Sequence, residues 1–112
     1  MGNLGGDGYN HFRVCEGKTA TFSCGGRKVI HIGACWYGSP STDPGYNQCP
    51  HSAKKNCAAV TGNCGPYLQG QCENKASCSV VINNGNMGGD PCPGTYKFGA
   101  IAAQCRAPSR PR

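Results

Sequence analysis

The segment Gly88–Cys105, GGDPCPGTYKFGAIAAQC, joins a stiff corner to an apolar strand. Two glycines that permit positive φ precede Asp90, and prolines on both sides of Cys92 fix φ there. From Thr95 to Cys105 the sequence has the pattern of a β-strand. The segment therefore predicts a strand entered through a rigid loop that holds the carboxylate of Asp90 near the ammonium of Lys97.

A rigid acceptor beside a donor suits a polyol ligand, because neighbouring hydroxyls both donate and accept hydrogen bonds. A loop that is already ordered also spares the ordering cost of binding. The alternative is that Asp90 only closes its own turn, as Asp before Pro often does. The segment by itself leaves both interpretations open.

The composition is typical of a small secreted domain held together by disulfides. The 112 residues include 10 Cys, 18 Gly and 8 Pro, and only 38% are hydrophobic. A core of that size gives modest stability, and secreted domains commonly compensate with cross-links. We therefore expect an oxidising, secreted or extracellular location. Residues 1–13 and 106–112 are expected to be flexible flanks, the first glycine-rich and the second basic.

Short strands are expected to dominate. They are predicted over Thr19–Cys24, Lys28–Gly38, Ser77–Ile82 and Thr95–Cys105. The first two are joined by a turn at Gly25–Arg27. Residues 39–71 are dense in Pro, Gly, Asn and Cys, which predicts successive turns. Within them, 57–64 and 65–72 are each expected to form a turn or two of helix, the second with Pro66 at a first helical position.

Several classes of function are disfavoured. The net charge of +6 is spread along the chain, without the basic stripe interleaved with aromatics that nucleic-acid binding requires. No cysteines have the C-x-x-C spacing and the three histidines are scattered, so we expect neither a metal site nor a cofactor. No apolar run reaches the roughly 18 residues that cross a bilayer, so membrane insertion is not expected. A membrane-active toxin would also require an amphipathic basic helix, and the sequence predicts none.

Four segments carry a family resemblance: VCEGKTATFSC (14–24), KVIHIGACWYGS (28–39), GQCENKASCSV (70–80) and the segment 88–105. Together they resemble the rhamnose/galactose-binding lectin domain of the sea-urchin egg lectin (SUEL) type, which also occurs in latrophilin receptors and at the C-terminus of plant β-galactosidases. The resemblance covers residues 14–105. It implies an α+β, mainly β fold: a compact, disulfide-stapled antiparallel β-sandwich with long loops and one or two short helices.

Ten half-cystines allow about 945 pairings, and composition cannot choose among them. The resemblance implies four pairs, Cys15–Cys49, Cys24–Cys105, Cys57–Cys92 and Cys72–Cys78. Cys35 and Cys64 lie outside the family pattern, and we hypothesise that they form a fifth bond.

The resemblance also implies a sugar site made of Glu16, Tyr37, Asn84, Asp90, Gly94 and Lys97. The two carboxylates would accept hydrogen bonds from vicinal hydroxyls, and Lys97 would donate to a ring substituent. Gly94 would allow close approach of its backbone, and Tyr37 would offer an apolar face. The loop before Asp90 is one residue longer than in the family, so Asn83 and Asn86 are alternatives to Asn84.

Two family motifs are altered here. The usual YGR reads Tyr37-Gly38-Ser39, and the usual KYL reads Lys97-Phe98-Gly99. These changes leave open an accessory or protein-interaction module that docks on a catalytic or receptor domain of the parent chain, with sugar binding weakened or lost.

The leading interpretation is a non-catalytic lectin module that recognises terminal L-rhamnose or D-galactose of glycans. It would act outside the cell, in the cell wall or apoplast if the source is a plant. A glycosidase acid–base pair of Glu16 and Asp90 is the enzymatic alternative. It is disfavoured because only five acidic residues are present and nothing apolar beside either promises a raised pKa.

Overall fold

A computed structural model of the chain describes residues 2–3, 8–49, 55–61 and 64–107, with the backbone alone at 2–3 and 58–61. Within these residues the strands are β1 (Gly2–Asn3), β2 (Asn10–Cys15), β3 (Thr19–Ser23), β4 (Val29–Ser39), β5 (Cys57–Thr61), β6 (Ser77–Val81) and β7 (Phe98–Arg106). The helices are α1 (Pro44–Gln48) and α2 (Gly65–Cys72).

The described strands form two sheets. One has the order β2-β7-β4-β5 and is antiparallel throughout. The other has the order β1-β3-β6, in which β3 and β6 are antiparallel and β1 runs parallel to β3. The chain is therefore mainly β with two short helices, as expected. The expected turn between β3 and β4 is present, but it carries the chain from one sheet to the other.

The inner faces of the sheets share one apolar core. Phe22 of β3 and Ile30 and Ile32 of β4 are buried in it, because alternate residues of a strand point to the same face. The ring of Phe12 in β2 meets Phe22 edge-on, with centroids 5.0 Å apart. Helix α2 packs against β4 and β6 and buries Leu68. No helix in the described ranges is long and apolar enough to cross a membrane.

Disulfides tie the loops to the sheets. All ten cysteines are paired, as Cys15–Cys49, Cys24–Cys105, Cys35–Cys64, Cys57–Cys92 and Cys72–Cys78. These are the pairs expected from the sequence, including the additional bond between β4 and the residue before α2. The largest disulfide loop is closed by Cys24–Cys105, which are 81 positions apart and join the end of β3 to the end of β7.

Two expectations about where strands lie are wrong. The flexible flank does not reach residue 13, because β2 begins at Asn10 and pairs with β7 along its whole length. Its residues alternate, with Phe12 and Val14 inward, and this pattern was available in the sequence. Residues 57–61 form an edge strand on β4 instead of a helical turn, so sheet pairing overrides local propensity there. Residues 108–112 of the expected basic flank lie outside the described residues.

Helix α1 was expected as a succession of turns. Asp43 caps it, with its side chain accepting a hydrogen bond from the backbone N–H of Gly45 at 2.8 Å, and Pro44 occupies the first turn. An N-cap residue followed by a proline is a sequence signal for the start of a helix. Asp43 also pairs with Arg13 of β2 at 2.8 Å, which fixes the helix to the sheet.

Candidate functional site

An open cleft of about 330 Å³ lies where β2 ends and β7 begins. It is lined by Glu16, Asn84, Asp90, Gly94, Thr95, Tyr96 and Lys97. The structure thus brings together five of the six residues expected at the site. Its volume is at the lower end of the range for small-ligand sites.

The ammonium of Lys97 joins the two carboxylates of the cleft. Its Nζ lies 3.2 Å from Oε1 of Glu16 and 3.1 Å from Oδ1 of Asp90. It also donates to the backbone oxygen of Thr95 at 2.6 Å. The Lys97 side chain is only 2% exposed, against 24% for Glu16 and 30% for Asp90. The carboxylates therefore face solvent more than the ammonium that holds them.

Neighbouring strand ends position Glu16 and Lys97. Glu16 follows β2, and Lys97 precedes β7, which is the partner of β2. The backbone N–H of Glu16 donates to the Lys97 carbonyl, and the backbone N–H of Lys97 donates to Glu16 Oε1, both at 2.9 Å. Sheet pairing thus sets this ion pair, although 81 positions separate the two residues in the chain.

The rigid loop predicted before β7 holds Asp90. Its Oδ1 accepts a hydrogen bond from the backbone N–H of Cys92 at 3.0 Å, and the Cys57–Cys92 disulfide anchors the loop beside β5. Asp90 therefore closes its own turn and also pairs with Lys97. Desolvation acts to raise the pKa of Asp90, but the Cys92 N–H and the Lys97 ammonium outweigh it and hold the pKa below its ordinary value.

Each carboxylate keeps one oxygen available. Oε1 of Glu16 and Oδ1 of Asp90 take the contacts just described. Within the described part of the chain, no hydrogen bond reaches Oε2 of Glu16 or Oδ2 of Asp90. An ionised carboxylate has acceptor capacity on both oxygens, so both groups can still accept hydrogen bonds from a ligand.

Tyr37 is the expected site residue that does not line the cleft. Its side chain is buried at 1% exposure, so the expectation that it offers an apolar face to a ligand is wrong. Its position in central strand β4 turns it into the core. The hydroxyl donates to Oδ1 of Asn84 at 2.8 Å, and the ring lies 5.7 Å from the Lys97 ammonium. Burial, then the charges of Glu16 and Asp90, raises the pKa of Tyr37, so its hydroxyl remains a donor.

Asn84, and not Asn83 or Asn86, lines the cleft. Asn83 Oδ1 accepts from the backbone N–H of Asn86 at 2.8 Å, and the Asn86 amide donates to Val81 at 2.8 Å. These two side chains hold the loop itself. The bond from Tyr37 occupies the oxygen of Asn84 and leaves its amide NH2 as a donor.

Thr95 and Tyr96 line the cleft, although sequence reasoning did not assign them. Tyr96 is half-buried and donates from its hydroxyl to the backbone oxygen of Glu16 at 2.9 Å. Burial, then the charge of Glu16, raises the pKa of Tyr96. Their position in the sequence could have identified them, because both residues lie between the rigid loop and Lys97. Gly94 has a φ of +79°, a conformation that favours glycine.

The two altered motif positions lie outside the cleft lining. Ser39 is fully buried and donates to the backbone oxygen of Lys55 at 2.6 Å. Gly99 is buried in β7, where an added Cβ would lie 3.4 Å from Ile82. Neither Ser39 nor Gly99 therefore contributes a group to the cleft in this chain.

The open cleft, with two carboxylates paired to one lysine, thus lies on a disulfide-stapled β scaffold. Residues 22–105 match the D-galactoside/L-rhamnose binding SUEL lectin domain. The chain belongs to this family of lectin domains, which is a non-catalytic class.

Individual relatives agree with that assignment. The chain is 34% identical over 96 residues to the D-galactoside-specific lectin of Heliocidaris crassispina, covering 83% of this chain and 87% of that protein. It is 34% identical over 95 residues to the L-rhamnose-binding lectin ELEL-1 of Echinometra lucunter, with coverage of 83% and 87%. It is 33% identical over 92 residues to the rhamnose-binding lectin of Silurus asotus, covering 82% of this chain but 29% of that protein.

Proposed function

We propose that the cleft binds a terminal galactose or rhamnose residue of a glycan, without catalysis. One observation carries the proposal: Glu16 and Asp90 share the Lys97 ammonium at 3.2 and 3.1 Å, in a cleft that both line. The names of the sea-urchin and catfish relatives support this ligand class.

Vicinal hydroxyls are the ligand groups that suit this arrangement. Two hydroxyls on one face of a hexose would donate to the available oxygens of Glu16 and Asp90, forming hydrogen bonds to charged acceptors. The amide of Asn84 would donate to a third sugar oxygen. The half-buried ring of Tyr96, and not Tyr37, would provide an apolar surface for sugar C–H groups.

Lys97 acts in this proposal mainly as a positioning residue. Its ammonium already has acceptors on Thr95, Glu16 and Asp90, so donation to a sugar would require one of these bonds to be exchanged. Its charge compensates two adjacent carboxylates, which would otherwise repel each other and favour protonation of one. The pKa of Asp90 lies below its ordinary value, so this carboxylate remains an acceptor at neutral pH.

The affinity of a single site of this kind is expected to be weak. A millimolar dissociation constant corresponds to about 4 kcal/mol, which a few hydrogen bonds on an open surface supply. Tight attachment to a glycan surface would come from several copies acting together. The paired state of all ten cysteines supports an extracellular setting for such binding.

The proposal is tested by titrating methyl α-L-rhamnoside and methyl β-D-galactoside into the wild type and two variants, Asp90→Asn and Glu16→Gln. Each variant keeps an oxygen for the local hydrogen bond but replaces a carboxylate acceptor by an amide donor. We expect at least about fivefold weaker binding of the preferred sugar in each variant.

The matched control is Glu73→Gln, which changes a carboxylate at the start of the loop between α2 and β6. Glu73 pairs with His31 at 2.7 Å and does not line the cleft. Its affinity should equal that of the wild type. Equal affinity in the wild type and all three variants would mean that the sugar binds elsewhere. No detectable binding of either sugar at tens of millimolar would favour the accessory-module alternative.

A further inference from the structure

Every described carboxylate already has a basic side chain as its partner. Asp43 pairs with Arg13, Glu73 with His31, and the two cleft carboxylates with Lys97. The exposed cations without a carboxylate within 4 Å, among the residues that the structure describes, are Lys18, Arg27, Lys28, Lys55, Lys75 and Arg106. Within the described residues, the positive charge that no carboxylate compensates therefore lies on six surface positions.

Four of these cations meet at one end of the domain. Arg27 and Lys28 occupy the turn between β3 and β4, Lys75 the loop between α2 and β6, and Arg106 the end of β7. We call these four residues the basic end. Adjacent backbone pairing brings them together, since Val29 lies opposite Arg106 in the sheet.

The loop that carries Lys75 is bonded to the same strand. The carbonyl of Lys75 accepts from the backbone N–H of Ile30 at 2.8 Å, and the carbonyl of Ile30 accepts from Asn74 at 2.9 Å. Residues opposite or diagonal to each other across paired strands lie roughly 5–8 Å apart at Cα. The four side chains therefore start from one patch of backbone.

This patch is rigid. The Cys24–Cys105 disulfide joins the strand before the turn to the strand that ends in Arg106. The Cys72–Cys78 disulfide closes the loop that carries Lys75. Both bonds order the backbone before any ligand arrives, which reduces the entropic cost of binding.

We propose that the basic end is a second glycan site, which binds sulfated or otherwise polyanionic saccharides independently of the cleft. Lysine and arginine side chains form charge-assisted hydrogen bonds with sulfate and carboxylate groups. Strand β7 has Lys97 just before its first residue and Arg106 as its last, so roughly 27 Å of strand separates the two sites. One domain could then hold a neutral terminal sugar at one end and an anionic chain at the other.

The surroundings favour a glycan over a membrane or a nucleic acid. The exposed large apolar side chains among the described residues are Tyr9 and Val81, too few to anchor the domain in a bilayer. Tyr9, at 42% exposure, accepts a hydrogen bond from Arg106 at 3.3 Å and offers a flat ring beside the cations. A single ring is suited to one sugar face and falls short of the aromatic series on which nucleic-acid bases stack.

The test compares two double variants that each remove two exposed lysine charges. Lys28→Gln with Lys75→Gln alters the basic end, and Lys18→Gln with Lys55→Gln alters two exposed lysines outside it. Binding of a heparin octasaccharide is measured by calorimetry at low and at physiological salt. We expect the first variant to bind at least about fivefold more weakly and with a smaller salt dependence. The second should stay within about twofold of the wild type.

Further binding measurements distinguish the basic end from other sites and other ligands. Saturating methyl α-L-rhamnoside should not displace the octasaccharide, since the sites are separate. Equal losses in both double variants would overturn the proposal in favour of a general field effect. A loss confined to an Arg110→Gln, Arg112→Gln variant would assign binding to the chain end and overturn it. Tighter binding to phosphatidylserine vesicles or to single-stranded DNA than to heparin would overturn it as well.

Discussion

Replacing Tyr37 by Phe removes one buried hydroxyl and nothing else. That hydroxyl donates to Asn84 Oδ1 at 2.8 Å from a side chain that is 1% exposed. Water in the cleft can reach the amide that loses its partner, so the expected cost in unfolding free energy is about 0.5–1.5 kcal/mol. The Asn84 amide also loses the bond that orients it, and we expect sugar affinity to fall about fivefold.

Urea unfolding, sugar titration and NMR of the Asn84 side-chain amide measure these effects on the same variant. Tyr67→Phe is the matched control, because it removes a hydroxyl from helix α2, away from the cleft, and this hydroxyl forms no hydrogen bond with another described residue. The control should match the wild type in affinity. Wild-type affinity in Tyr37→Phe, with unmoved Asn84 signals, would refute the role assigned to Tyr37.

Three more predictions concern the scaffold and pH. Replacing Cys35 and Cys64 by Ala removes a disulfide that links residues 29 positions apart, and should lower the free energy of unfolding by about 3.5 kcal/mol and Tm by roughly 15 °C. A decrease in Tm of less than about 5 °C would show that the bond contributes little. Because the pKa of Asp90 lies below its ordinary value of 3.8, the sugar affinity left in the Glu16→Gln variant should hold as the pH falls to about 4 and drop at lower pH as Asp90 is protonated; a midpoint near pH 6 would implicate a histidine instead. Gly45→Ala places a Cβ 2.5 Å from the Phe98 ring and should cost roughly 1–3 kcal/mol in urea unfolding; unchanged stability would mean that the ring moves freely.

The sequence was sufficient for the features that depend on strong local signals or on the family pattern. Alternation located β3, β4, β6 and β7, and the resemblance gave four disulfide pairs. The stiff loop at Asp90 followed from its glycines and prolines, and the structure places that carboxylate 3.1 Å from Lys97. These properties are encoded within a few residues or within a shared motif.

The remaining features depend on tertiary pairing. β5 has a local sequence that also suits a helical turn, and only the free edge of β4 decides for a strand. The burial of Tyr37 depends on which face of a central strand meets the second sheet, a choice that its own segment does not determine. Tyr96 became visible as a cleft residue only when the position of Glu16, 80 residues away, was known.

The Lys97 ammonium is the positive charge that the two carboxylates of the cleft share. Two carboxylates close together would normally raise the pKa of one of them. Here one nearly buried ammonium contacts both carboxylates, and each carboxylate keeps one oxygen that can accept a hydrogen bond from a ligand. A lysine that holds two acceptors in place contributes to binding even where it does not touch the ligand.

The most direct measurement is an NMR titration of the isotope-labelled domain with methyl α-L-rhamnoside and with methyl β-D-galactoside. Saturable shifts confined to Glu16, Asn84, Asp90, Gly94 and Tyr96, with the basic end silent, are the predicted result. Shifts that cluster on another face, or spectra unchanged by both sugars at tens of millimolar, would contradict the assignment of the cleft as a sugar site.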